Sequence, residues 1–348
     1  MSKLSEDLSM SNHSTKLTSG ELATLWTTFQ NDTSSLCIFE YFLAKCEDPD
    51  ITPLLQLSKN ASLEHINFLK KLYSEEQIPN PVGFSVDEDV YPDTPRMYAD
   101  MFYLMFMRQM AKVGMITYSA ALSLAVRQDI VDFYQEGLTF TSDLYKKTTQ
   151  TAVKKGILVR PPYIPYPKEI DFVDEKSYFS ASLNPFTDKR PLNAIEISHL
   201  FMNTETNLLG SMLSTSFAQM ARTTDVKDYM VRARKVAQKH IKVFTTTLVD
   251  NDMQAPMSWD TNVQDSTVPV FSEKLMMFLV TLITNVGMGN YGIAASASMR
   301  LDIANNYFRM ALETGRLGKS GADIMVKYGW LEEPPQSPDR NKLVRENN

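Results

Sequence analysis

Four residues of this chain have types and spacing that could carry chemistry: Asp32 and His65 in its first half, Asn207 and His240 in its second. The two histidines lie 175 positions apart, and so do Asp32 and Asn207. A carboxylate facing an imidazole can hold a metal ion or respond to pH near neutrality. The same pair can also be a buried hydrogen bond that sets the register of two helices. Which reading applies depends on the elements that carry the residues.

Metal chemistry makes the sharper demand. A dinuclear carboxylate centre in a helical bundle needs a Glu from each of two helices and a Glu-x-x-His from each of two others. The segments around the histidines read Ser62-x-x-His65 and Ala237-x-x-His240, so the His is present without its Glu. Later segments offer Glu136-x-x-Thr139 and Arg309-x-x-Leu312, and neither completes the motif. The leading expectation is therefore no cofactor. A mononuclear or relict site for Fe, Mn or Zn at Asp32/His65 is the alternative. Serine-elbow, Walker-loop, dinucleotide-fingerprint and zinc-cluster motifs are all missing, so no catalytic residue is nominated.

The elements that position these residues emerge from an internal repeat. Residues 113–162 and 286–335 align without a gap and agree at 19 of 50 positions, against roughly three for unrelated windows. They share Val-Gly-Met, Tyr118/Tyr291, Arg-x-Asp-Ile, Tyr134/Tyr307 and a closing Val-Lys-x-Gly-x-Leu-x-x-Pro-Pro. Arg127 and Arg300 are expected to clamp a turn, with Asp129 and Asp302 capping the helix that follows. Gly156 and Gly329 suit a left-handed helix stop, and Pro161-Pro162 and Pro334-Pro335 prevent the helix restarting. Recurrence here reads as helix punctuation, not as an active site.

Upstream, Thr18 and Glu21 have capping-box spacing. Leu22, Leu25, Phe29, Leu36, Phe39, Leu43 and Cys46 follow as a heptad seam with Asp32 set into it. A second helix, to about Ser74, carries His65 on its inward stripe. The Pro- and acid-rich stretch 77–95, matched in the second half by Pro256, Trp259 and Pro269, is too long for a tight hairpin. It suits the overhead crossover of a ferritin-like bundle, in which helices two and three run parallel. The third helix is Met-rich, and its second copy, 275–299, has no charged residue. That length could cross a bilayer, but Thr281, Thr284, Asn285, Asn290, Ser296 and Ser298 argue for a buried helix.

Composition narrows the function classes. A net charge of −6 without a basic stripe excludes a dedicated nucleic-acid binder. Cys37 and Cys46 lie on one helix about 13 Å apart, too far for a disulfide, and fit a reducing compartment. Residues 1–16 are polar, without an apolar signal core, and read as a disordered tail.

The duplicated unit, with Lys-His-Ile at 239–241, the Arg-x-Asp turn and the Lys-x-Gly-x-Leu-x-x-Pro-Pro ending, resembles the bacterial domain-of-unknown-function 3231 family. Members of that family are similar to spore coat protein F. The resemblance covers about residues 17–345 and implies a ferritin-like bundle and an association with sporulation. It supplies no catalytic residue.

These readings together predict an all-α protein of two tandem ferritin-like four-helix bundles, 17–165 and 191–336, each with a long crossover between its second and third helices. A Pro- and aromatic-rich linker, 166–190, is expected to lie ordered along the bundles, and 337–348 forms a tail. The expected role is a non-enzymatic, spore-associated structural or interaction protein, located in the cytoplasm, forespore or spore coat. Its partners would be proteins or further copies of itself, met through Met-rich and Gly/Ala-rich helix surfaces. The alternative is a divergent ferritin-like metal or redox protein.

Overall fold

A computed structural model describes residues 15–179, 189–256, 262–341 and 345. The expectations for residues 1–14, Pro185, Trp259 and most of the last seven residues lie outside the described residues. Eight long helices dominate: α1 (Ser19–Lys45), α2 (Thr52–Glu75), α3 (Asp100–Leu122) and α4 (Gln128–Lys154), then α5 (Ala194–Met220), α6 (Thr224–Val249), α7 (Glu273–Ala297) and α8 (Leu301–Lys327). The described residues contain no strand beyond two isolated bridges. The chain is all-α, in two tandem units of four helices.

Local sequence accounts for the helix ends. At α1 the Thr18 hydroxyl accepts from the Glu21 amide at 3.2 Å, and Glu21 Oε2 accepts from the Thr18 amide at 2.7 Å. Asn193 and Glu196 repeat this box at α5. Gly156 and Gly329 both adopt φ of +68°, where only glycine is unstrained. Behind them Ile157 N donates to Ala152 O at 3.1 Å and Trp330 N to Met325 O at 2.8 Å, a Schellman closure. Pro161, Pro162, Pro334 and Pro335 follow in irregular chain.

Glu21 also reaches across the unit. Its Oε1 accepts from the amides of Val126 and Arg127 at 2.9 and 2.8 Å, binding the start of α1 to the α3–α4 turn. Burial works to raise its pKa, but the amides of Arg127, Thr18 and Val126 outweigh it and hold the carboxyl at about 2. At the opposite end, Lys154 and Lys155 at the close of α4 pair with Asp50 and Asp48 in the α1–α2 turn. These two ties make α2 and α3 run in the same direction, with the crossover 76–99 spanning the length of the unit. The second unit repeats the scheme: Glu196 meets the Arg300 amide at 2.9 Å, and Lys327 meets Asp225.

The crossovers join the units through a pseudo-twofold axis. Tyr91 N donates to Val270 O at 3.0 Å, and Gln264 N donates to Met97 O at 2.9 Å. Ala99 N donates to Asn262 O at 3.0 Å, and Ser272 N donates to Asp89 O at 3.0 Å. At the 173-residue offset of the later halves, each bond is the image of the other in its pair. The bridges Val90–Phe271 and Tyr98–Val263 exchange in the same way. Tyr41 packs edge-on to Phe271 at 5.2 Å, and at the mirrored place Tyr98 Oη meets Ser216 Oγ at 2.8 Å. This is the geometry of an isologous dimer contained in one chain.

Around that axis the units share a core. Phe42, Phe102, Met105 and Met107 from the first unit pack with Met212, Phe217, Met276 and Met277 from the second. Met105, Met107, Met276 and Met277, part of the Met-rich surfaces nominated for self-association, are thus buried between the halves of one molecule. Each unit keeps a smaller core at its far end, around Tyr134 and Tyr307 respectively.

Helix α7 is long and apolar enough to cross a bilayer. Its first half lies in the shared core, and Ala294 and Ala295 join the second unit's own core. Gly289, Gly292 and Ser296 face outward. The linker departs from expectation: Tyr163, Tyr166, Ile170 and Phe172 are largely exposed, not laid on the bundles. Among the described linker residues, Phe179 O accepts from Leu301 N at 3.3 Å and Lys189 pairs with Asp302, tying its later part to the second unit.

Candidate functional site

Asp32 sits in the middle of α1, its side chain turned from solvent among Thr28, Thr33 and the other buried residues of that face. His65 comes from the middle of α2, and its Nδ1 lies 3.1 Å from Asp32 Oδ2. A third group completes the cluster: Tyr118 Oη, from α3, is 3.0 Å from the same Nδ1. Asp32 Oδ1 has no hydrogen-bond partner among the described residues. Burial opposes the charged imidazole, but the Asp32 carboxylate outweighs it and raises the His65 pKa. Burial pushes the Tyr118 phenol well above its usual range.

The cluster faces a cavity of about 340 Å³ between α1, α2, α3 and α4, with Leu282 of α7 also in its wall. Its walls are mainly apolar, including Phe39, Ala111, Phe140 and Leu144, with hydroxyls from Thr28 and Ser62. Ala23, Thr27, Ala120 and Leu124 line it and are exposed, so the mouth lies between α1 and α3. Lysine and arginine are missing from the lining.

At the matching register of the second unit the arrangement differs. Asn207 does not meet His240 directly. Tyr291 Oη bridges them, 2.9 Å from His240 Nδ1 and 2.8 Å from Asn207 Nδ2. Glu313 of α8 approaches His240 Nε2 at 3.3 Å. Burial lowers the His240 pKa despite Glu313. The void here is about 50 Å³. Helices α5 and α7 close on each other where α1 and α3 stand apart.

Around the first cavity Thr24, Thr27, Ala61 and Ala120 correspond to the larger His199, Met202, Val236 and Ile293, of which Val236 lines the second void. Bulk alone does not set the difference, since Ile293 is exposed and Phe39 corresponds to the smaller Ser214; the closer approach of α5 and α7 accompanies it.

Tyr118 and Tyr291 were visible as identities of the repeat, yet their spacing marks only helix punctuation, so recurrence hid their role. Glu313 gave no signal, since Phe140 occupies its place in the first copy.

The Arg-x-Asp turns require a correction. The residues preceding α4 and α8 are Arg127 and Arg300, whose own side chains do not cap their helices, although Asp129 Oδ1 accepts from the Ile130 amide at 3.0 Å. Asp129 and Asp302 lie within the first turn and pair with those arginines: Arg127 Nε and Nη2 reach Asp129 at 2.8 Å, and Arg300 Nη2 reaches Asp302 at 2.9 Å. The amides of Val126 and Arg127 are served instead by Glu21. Arg127 extends to Glu76 at the end of α2, and Arg300 to Asn251 beyond α6, so the clamp joins two hairpins. These residues line neither cavity and build the fold.

Among the described residues, no three His, Cys, Asp or Glu side chains gather where they could hold a metal ion. One carboxylate and one imidazole in the first unit fall short of the several bridging carboxylates a dinuclear centre needs. The donor set does not fit that cofactor. Cys37 is buried, its thiol pushed up to about 12 by burial first and Asp89 second, and it is inert as a nucleophile.

The profile of a family described as "Protein of unknown function (DUF3231)" matches residues 5–170 and again 180–343. The chain belongs to this family, in tandem. None of the curated proteins matches it. Among solved structures, a candidate spore coat protein of Bacillus halodurans C-125 is similar at 17% identity and a TM-score of 0.39, over 43% of this chain and 98% of that one.

Proposed function

We propose that this family member is a non-enzymatic binding protein in which the first unit carries a small-molecule pocket and the second serves as its structural partner. The observation that carries the reading is the cavity of about 340 Å³ bearing a buried polar cluster in the first unit, against a nearly filled counterpart in the second. Concave, mostly apolar sites with a few convergent polar groups are the usual form of ligand pockets. An apolar void of this size in a bundle costs stability, and a cavity kept open in one copy alone fits a bound occupant. We place the protein in the ferritin-like group of bundles on helix direction and crossover, with the metal centre absent from its design. Its proposed spore association is supported by the family resemblance of the repeat.

The test is to give the first unit the residues of the second. Thr27→Met, Ala61→Val and Ala120→Ile together should close the pocket and abolish binding of a fluorescent apolar probe, with stability within about 1 kcal/mol of wild type. Equal probe binding by the triple variant would remove the cavity as the site. Spore association is checked by following a tagged copy through sporulation in the native host, where exclusion from the spore would overturn it.

A further inference from the structure

We infer that the pocket of the first unit takes an amine, with an apolar body in the cavity and its ammonium group against Asp32. The inference rests on the cavity being a binding site, and it names the head group that the site selects.

Asp32 is only 8% exposed, yet it uses one oxygen of two. Oδ2 is held by His65, and Oδ1 has no partner, on a residue that lines the cavity. A carboxylate offers about four acceptor positions and no donor; Asp32 Oδ1 is not sealed in the interior but is reached from the cavity, where it can accept from a donor that enters. The surroundings choose among donors. No lysine or arginine lines the space, so an anionic head would meet a carboxylate without a compensating cation. The His65 Nδ1 edge, the one basic group in contact, is already shared by Asp32 and Tyr118. An alcohol could donate one neutral hydrogen bond. An ammonium donates up to three, and a bond between charged partners is roughly twice as strong as a neutral one.

The rest of the cavity fits the other end of such a molecule. Phe39, Ala111, Phe140 and Leu144 offer no acceptor or donor from their side chains, and the volume holds a body of roughly a dozen non-hydrogen atoms at liquid-like packing. The second unit supports the pairing of charge with space. There Asn207 replaces Asp32, Glu313 sits on the far edge of His240 outside the lining, and the void has shrunk, so the copy with no carboxylate lining its void is also the copy without room.

The experiment is calorimetric titration of the full chain with hexylamine, hexanol and hexanoate, three ligands alike in length and different in head. Hexylamine should bind at one site at least tenfold more tightly than hexanol, with hexanoate weakest. Asp32→Asn should bring hexylamine to the hexanol level and leave hexanol unchanged. The folded Thr27→Met/Ala61→Val/Ala120→Ile variant should bind none of them, a readout that stands even if Asp32→Asn fails to fold. Hexanol or hexanoate binding as tightly as hexylamine would refute the amine assignment and leave the pocket reading intact. Absence of binding by all three at millimolar concentration would overturn both.

Discussion

At one register of the two units, His65 faces a carboxylate and a cavity of about 340 Å³, whereas His240 faces a phenol, a glutamate and a void of about 50 Å³. The histidine and tyrosine are common to both, so they do not create the difference. It accompanies the change of Asp32 to Asn207 and the closer approach of α5 to α7 than of α1 to α3. In the first unit the carboxylate raises the imidazole pKa; in the second, burial lowers it. A duplicated fold has thus kept a polar frame twice and left space inside it once.

The largest effect that would sharpen this asymmetry lies at the seam. Glu205 of α5 is buried against Arg108 at 3.3 Å and Lys112 at 2.8 Å, both from α3. Its counterpart in the first unit is the uncharged Gln30. Glu205→Ala strands buried cations and should cost about 3–5 kcal/mol in urea unfolding, while Gln30→Ala should cost about 1 kcal/mol or less. Equal losses would mean that the polar cluster does not distinguish the two sides of the pseudo-twofold.

A middle-sized effect separates the histidines. His240→Ala abandons Tyr291 and Glu313 in a filled interior and should destabilise by about 2–3 kcal/mol. His65→Ala opens onto an existing cavity and should cost about 1 kcal/mol. The reverse order in thermal or urea unfolding would break the contrast between filled and open units.

The smallest effect concerns proton binding. Asp32→Asn makes the first site resemble the second, and the His65 pKa, followed by NMR, should fall from above its ordinary value to below it. A raised folded pKa contributes stability that is complete below the unfolded pKa and is lost as pH rises through the folded one. The wild-type advantage over Asp32→Asn should therefore be larger near pH 5.5 than near pH 8.5, by about 1 kcal/mol or less. An unchanged His65 titration would show that Asp32 does not set its charge.

Much of the fold was legible because local rules dominate helix ends. The capping box at Thr18/Glu21 and the left-handed stops at Gly156 and Gly329 depend on residues close in sequence, and the crossover was legible from the length and proline content of its loop. The approach of Asp32 to His65 was legible for a related reason: two helices joined by a short turn have limited freedom of register. Asp129 was misjudged as a cap because its position is decided from outside, by Glu21 reaching from α1. The aromatic linker was misjudged because composition names residues able to pack without supplying a surface for them.

By itself, the sequence determined two copies of a four-helix unit, the ends of their helices and the recurrence of one histidine in each. These follow from periodicity and short-range hydrogen bonding. Tertiary structure alone decided the pseudo-twofold seam, the joining of Tyr118 to Asp32 and His65, and the cavity beside them. The seam needs residues 173 apart to meet as images, and a cavity is a small difference between a large enclosed volume and the many side chains that fill it. Neither quantity is local, so neither could be read until the helices were placed.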